Sequence, residues 1–216
     1  MNKNKLFGES VKQEIATAFR GAHKGGKRMT GAGTDLFAIA LNELGDVLAK
    51  VDEARIDAAC DLLAGAGKIA VYGCGREALQ IKGFAMRLYH LGLSVSVVGD
   101  MTTPPLGKGD VFLVSSGPGE TTTVLTLMQV ARAAGAKVLL LTAEAEGSAT
   151  KRADFTLLIP AQTMASDQGT AKTSLLPMGS LFEGALFLLF EVMVLKLKAL
   201  TGASPEAMRA RHTNME

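Results

Sequence analysis

The sequence predicts an α/β fold: a single domain built on a five-stranded parallel sheet flanked by helices on both faces. Three observations lead there. Short, wholly apolar runs such as Val111 to Val114 suit strands covered on both sides. Most of these runs alternate with stretches of helical periodicity, the pattern of strand–helix–strand units. Two of the strand-to-helix junctions are glycine loops, which point backbone N–H groups and a helix dipole at one place.

Composition agrees with that class. The 216 residues can bury a full core in one domain, and 48% hydrophobic with 20% charged residues is the balance of a soluble globular chain. A formal charge of +2 gives nucleic-acid binding no support. Two distant cysteines, Cys60 and Cys74, cannot form a disulfide framework, which points to a reducing cytoplasm. The start MNKNKLFGES lacks the apolar core of a signal peptide, and the apolar run Ala185 to Val194, interrupted by Glu191, is too short to span a bilayer. No membrane contact is expected.

Met1 to Gly33 is basic and glycine-rich in its second half and reads as a loosely ordered arm, with residues 34–216 forming the folded domain. Thr34 or Asp35 can cap a helix with Leu36, Ile39, Leu44 and Val47 on one face. A second helix follows Asp52, burying Ile56, Cys60 and Leu63, and ends at Gly65 to Gly67. Ile69 to Tyr72 is the first strand, Gly73 to Arg76 a turn, and Glu77 to Leu91 a helix. Ser94 to Val98 is a strand and Gly99 to Gly109 a loop. The strand Val111 to Val114 meets the turn formers Ser115 to Gly119, and Glu120 opens a helix carrying Val124, Leu127, Met128 and Ala131. Strands follow at Lys137 to Thr142 and Phe155 to Ile159, with a short helix over Ser148 to Ala153 between them. Ala161 to Leu176 is long and polar for a loop, a candidate lid or site loop. A long apolar helix from Met178 to about Leu200 and a last turn capped by Ser204, with Pro205 at its first position, complete the chain.

Several pieces, in this order and spacing, carry a resemblance. YGCGRE followed by FAMRLYHLG, then VVGDMTTPP, GDVFLVSSGPGET, ADFTLLIPAQT, PMGSLFEGALF and RARHTNME resemble the sugar isomerase (SIS) domain family, nearest to its 6-phospho-3-hexuloisomerases. The resemblance implies a homotetramer with sites completed between subunits. It also implies a reaction that moves a carbonyl of a sugar phosphate through an enediol, without metal or cofactor. By position, Glu183 of SLFE corresponds to the carboxylate base and His212 to the histidine that helps ring opening or proton shuttling. Gly75, Arg76, Glu77 and Arg87, Thr102 and Thr103, and Ser115, Ser116, Gly117, Gly119, Glu120 and Thr121 correspond to the substrate-binding positions.

Chemistry makes a matching demand. Removing a proton beside a carbonyl needs a base with a pKa raised towards neutrality, and Glu183 lies between Leu181, Phe182 and Ala185, Leu186. The plainer reading of Glu183 is a first-turn helix acid favoured by the dipole. His212, in a polar tail, reads without the family match as a solvated surface residue. Cys74 could be a thiol activated at a helix start, but enediol chemistry needs none.

Two positions depart from the family pattern, in which hydroxyls and amides of both glycine loops hold the phosphate. Glu77 stands where the first loop has Ser, and Pro118 where the second has Ser. Pro118 supplies neither hydroxyl nor N–H. Glu77 brings like charge towards a dianion, a repulsion of about 4 kcal/mol per unit charge at 4 Å and an effective dielectric of 20. Arg76 or a group of a partner subunit is the expected neutraliser. Glu77 is otherwise a helix N-terminal acid, or an acceptor for sugar hydroxyls in a site whose substrate has no phosphate there. The expected function is thus a sugar phosphate isomerase; the alternatives are an isomerase of a non-phosphorylated or sulfonated sugar, and a non-catalytic sugar-binding module.

Overall fold

In the computed structural model, which describes residues 35–168 and 172–215, the apolar runs fold into one five-stranded sheet in the order β2-β1-β3-β4-β5, every pair parallel. The strands are β1 (Ile69–Gly73), β2 (Val95–Val97), β3 (Val111–Ser115), β4 (Lys137–Thr142) and β5 (Phe155–Leu158). The helices are α1 (Leu36–Leu48), α2 (Glu53–Ala64), α3 (Gly75–His90), α4 (Thr122–Ala133), α5 (Ser180–Thr201) and α6 (Pro205–Ala210). The arm expected over Met1 to Gly33 lies outside the described residues.

Burial explains the apolar runs. All of β3 is buried, and successive side chains of β3 and β4 enter opposite cores, so both faces of these strands are covered. Helices do lie on both faces, but unevenly. On one side Val71, Leu113, Leu139, Leu141 and Leu157 pack with residues of α1, α2, α3 and α5. On the other, Ala70, Phe112, Val114, Val138 and Leu140 meet Val124, Met128 and Ala131 of α4. That set recurs at intervals of four and three, the apolar stripe of a single amphipathic helix.

Several boundaries differ from expectation: α3 starts at Gly75 rather than Glu77, and α5 at Ser180 rather than Met178. The segment expected as a short helix over Ser148 to Ala153 is a single 3-10 turn, Thr150–Arg152. α4 begins at Thr122, after Thr121 at its N-cap, because Glu120 turns away: its Oε1 accepts the Ser148 N–H at 2.6 Å. No helix among the described residues is long and apolar enough to cross a membrane.

The sheet order puts the topological switch point between β1 and β3, whose following helices lie on opposite faces. Gly73 and Ser115 are paired across these strands. The two glycine loops therefore leave the sheet side by side.

Candidate active site

Gly73 fixes how α3 starts. A Cβ there would lie 3.1 Å from Ala78 N and 3.2 Å from the Glu77 carbonyl carbon, so glycine lets the first turn of the helix close onto the strand end. That closure turns Arg76 towards the start of α5 and Glu77 towards β3. Arg76 Nη1 donates to Ser180 Oγ at 3.0 Å, and its Nη2 lies 2.8 Å from Glu183 Oε2. The second contact is an ion pair without hydrogen-bond alignment, since Oε2 is buried and has no hydrogen-bond donor.

Glu183 sits in the first turn of α5 and is 8% exposed, between Phe182 and Ala185. Burial pushes its carboxyl above the usual range, with Arg76 opposing the shift. The helix begins after two left-handed residues, Met178 (φ 53°) and the N-cap Gly179 (φ 79°). Met178 N–H is held by Asp167 Oδ2 at 2.8 Å, which ties the polar segment before α5 to the turn that presents Glu183.

Glu77 reaches across to the second glycine loop. Gly117 N–H points at both its oxygens, 3.0 Å from Oε1 and 3.1 Å from Oε2, and the Ser115 hydroxyl makes a short hydrogen bond to Oε2. Burial raises the Glu77 pKa most; the bonds from Ser115 and Gly117 oppose it, and the charge of Glu183 adds to it. Arg76, expected to neutralise Glu77, is engaged by Ser180 and Glu183 instead, and no Lys or Arg among the described residues lies within ion-pair distance of Glu77.

Together these groups border a cleft of about 420 Å³ lined by Cys74 to Glu77, Pro118, Thr121, Thr163, Met164, Met178, Gly179, Phe182 and Glu183. A model of the SIS domain matches residues 62–186, which span both loops and Glu183. The chain belongs to the SIS domain family.

Relatives of known name agree. The 3-hexulose-6-phosphate isomerase of Bacillus subtilis (strain 168) is 36% identical over 183 residues, covering 85% of this chain and 98% of its own. That of Mycobacterium gastri is 35% identical over 183 residues, covering 85% and 91%. Among solved structures, a hypothetical protein from Methanococcus jannaschii, whose crystal structure infers a molecular function of 3-hexulose-6-phosphate isomerase, superposes with a TM-score of 0.73 at 26% identity. The match covers 85% of this chain and 100% of that one.

Within this SIS domain the residues expected at the site divide. Gly75, Arg76, Glu77, Thr121 and Glu183 border the cleft, and Ser115 and Gly117 touch it through Glu77. Ser116 Oγ donates to Thr121 Oγ1 at 3.3 Å, and Gly119, at φ 71°, closes the turn through its N–H to Ser116 O. Glu120 points to Ser148, away from the cleft. Arg87, three turns along α3, pairs with Glu191 at 3.5 Å. Thr103 Oγ donates to the Val97 carbonyl at 2.7 Å, and Thr102 lines a separate depression with Lys68 and Ser94.

His212 lies far from Glu183 in the same chain. Its ring stacks 5.3 Å from that of His90, the last residue of α3, whereas the cleft is at the first turn of that helix. The helix is sixteen residues long, about 24 Å at 1.5 Å per residue. Sequence reading missed Thr163, Ser180 and Phe182. Their signal was available in part, since Ser180 and Phe182 flank the SLFE match and Thr163 falls in the long polar segment.

Proposed function

We propose that this chain is a sugar isomerase of the kind named for its relatives, moving the carbonyl of a 3-ketohexose to the neighbouring carbon through an enediol. The observation that carries the reading is Glu183: a buried carboxylate with a raised pKa, facing a cleft between the two loops at the sheet's switch point. Its ionised form removes the proton from the hydroxyl-bearing carbon beside the carbonyl. The resulting enediol takes that proton back on the former carbonyl carbon, while a hydroxyl proton moves between the two oxygens. The sugar keeps all its atoms and needs no external oxidant.

Arg76 keeps Glu183 charged and oriented between turnovers, and Ser180 fixes the guanidinium. His212 fits the oxygen-to-oxygen proton transfer only when a second subunit brings it to the cleft, because α3 separates the two residues within one chain. The family's implied tetramer, with sites between subunits, supports that arrangement. The relatives' names support a hexulose as the ligand class.

Solvent deuterium incorporation into fructose and fructose 6-phosphate, followed by NMR, tests the reading. The wild-type chain incorporates deuterium at the carbon beside the carbonyl, and Glu183→Gln slows this by about 100- to 10,000-fold, the usual contribution of a positioned base. Equal rates in both proteins would remove Glu183 from the mechanism. Stable binding of the sugars without any exchange would favour a non-catalytic module instead.

A further inference from the structure

The second glycine loop has the geometry that ordinarily receives an anion, with a strand end, a tight turn and a helix start. The donors of residues 115–119 are already committed. Ser115 Oγ and Gly117 N–H go to Glu77, Ser116 N–H to Leu141 O at 3.0 Å, Ser116 Oγ to Thr121 Oγ1, and Gly119 N–H to Ser116 O at 3.0 Å. Pro118 has no N–H to give. Nothing between residues 115 and 119 is left over for a ligand's charge, because the chain supplies its own carboxylate.

The charge balance of the cleft points the same way. Its lining carries two carboxylates, Glu77 and Glu183, against one cation, Arg76, which is already spent on Glu183. A dianion beside Glu77 would meet like charge, and the cation among the described lining residues of this chain, Arg76, is paired with Glu183. A hydroxyl would meet an acceptor.

We propose that Glu77 sets the substrate class: its carboxylate fills the anion seat of the second loop, and the sugar end lying there is an uncharged hydroxyl that donates to it. The proposal deepens the isomerase reading and rests on it. Relatives named for a phosphate substrate belong to the same family; the family pattern that the resemblance implies has Ser where this chain has Glu77 and Pro118.

Binding and turnover test it separately. Inorganic phosphate, titrated by calorimetry, leaves the wild-type chain silent and binds Glu77→Ser, which frees Ser115 Oγ and Gly117 N–H. In the deuterium assay wild type prefers fructose over fructose 6-phosphate, and Glu77→Ser shifts the ratio of kcat/KM towards the phosphate by about 100-fold or more, as the removal of a close like charge requires. Glu77→Gln, which keeps an acceptor for Gly117 and loses the charge, shifts the ratio in the same direction by less. Tight phosphate binding by wild type, unchanged in Glu77→Ser, would overturn the proposal while leaving the role of Glu183 intact. Loss of exchange with both sugars in wild type, with phosphate binding still gained in Glu77→Ser, would sink the isomerase reading and not the loop assignment.

Discussion

Arg76 and Glu77 are neighbours in sequence but serve opposite walls of one cleft: the guanidinium approaches Glu183 at 2.8 Å, while the carboxylate accepts Gly117 N–H at 3.0 Å. Adjacent positions on a helix diverge by about 100° around its axis, so the first turn of α3 can reach α5 with one residue and β3 with the next. This divergence places an ion pair and a carboxylate–amide contact in the same small volume.

The first prediction concerns the base. Arg76 opposes the burial that raises the Glu183 pKa, so its removal lifts that pKa further. Activity requires ionised Glu183 and rises with pH through its pKa. In Arg76→Met the acidic limb of the kcat/KM profile therefore moves to higher pH, and an unmoved limb would mean that Arg76 does not act on the base.

A second prediction follows from the raised pKa of Glu77. A folded pKa above the unfolded value, near 4.3 for Glu, means that the native chain holds more proton than the unfolded one. That residue's contribution to stability then falls as pH rises from about 4.3 through the folded pKa. Glu77→Gln does not titrate, so urea denaturation should show the variant gaining on wild type as pH rises above about 4.3. A gap independent of pH would contradict the shift.

The loop makes a steric prediction. A Cβ at Gly117 would lie 3.1 Å from both Phe182 Cδ1 and Thr163 Cγ2 and 3.2 Å from Glu77 Oε1. Gly117→Ala must push one of these groups aside, at a cost of about 1–3 kcal/mol. The crowding also displaces Glu77 from the loop amide. Chemical denaturation measures the first effect, and phosphate titration of the variant measures the second.

Subunit mixing addresses His212. Glu183→Gln and His212→Ala chains, each inactive alone, should regain activity when unfolded together and refolded, because some clefts then combine an intact base with an intact histidine. Absence of recovery would remove His212 from the reaction.

The thiols supply a control on the core. Burial pushes the Cys60 thiol up to about 12, and the side chain is inaccessible beneath α5. In the native protein a thiol reagent at pH 8 should therefore modify Cys74 readily and reach Cys60 only on unfolding. Two equally fast thiols would mean that α2 and α5 separate in solution.

Much of the fold could be read from local pattern. Val111 to Val114 has no polar face, so it had to be a covered strand, and Val124, Met128 and Ala131 announce one buried helix stripe. The uneven division of helices between the two faces was hidden, because a strand apolar on both sides does not say how many helices cover each. At the site, Glu183 was legible from its apolar neighbours and its motif. The partner of Glu77 was not: Ser115 and Gly117 lie 38 and 40 residues further along. Only the pairing of Gly73 with Ser115 brings them within reach. Arg76 was assigned to Glu77 because they are adjacent in sequence, but three-dimensional reach gave it to Glu183.

A carboxylate joined to the loop by the chain itself never diffuses away, so its effective concentration there is of the millimolar order or higher that short tethers give. Free phosphate and phosphate esters in the surrounding solution must compete with an occupant that dilution cannot remove. Such an enzyme would work undisturbed amid a pool of phosphorylated metabolites, with Glu77 acting as a permanent competitive inhibitor of the wrong guests.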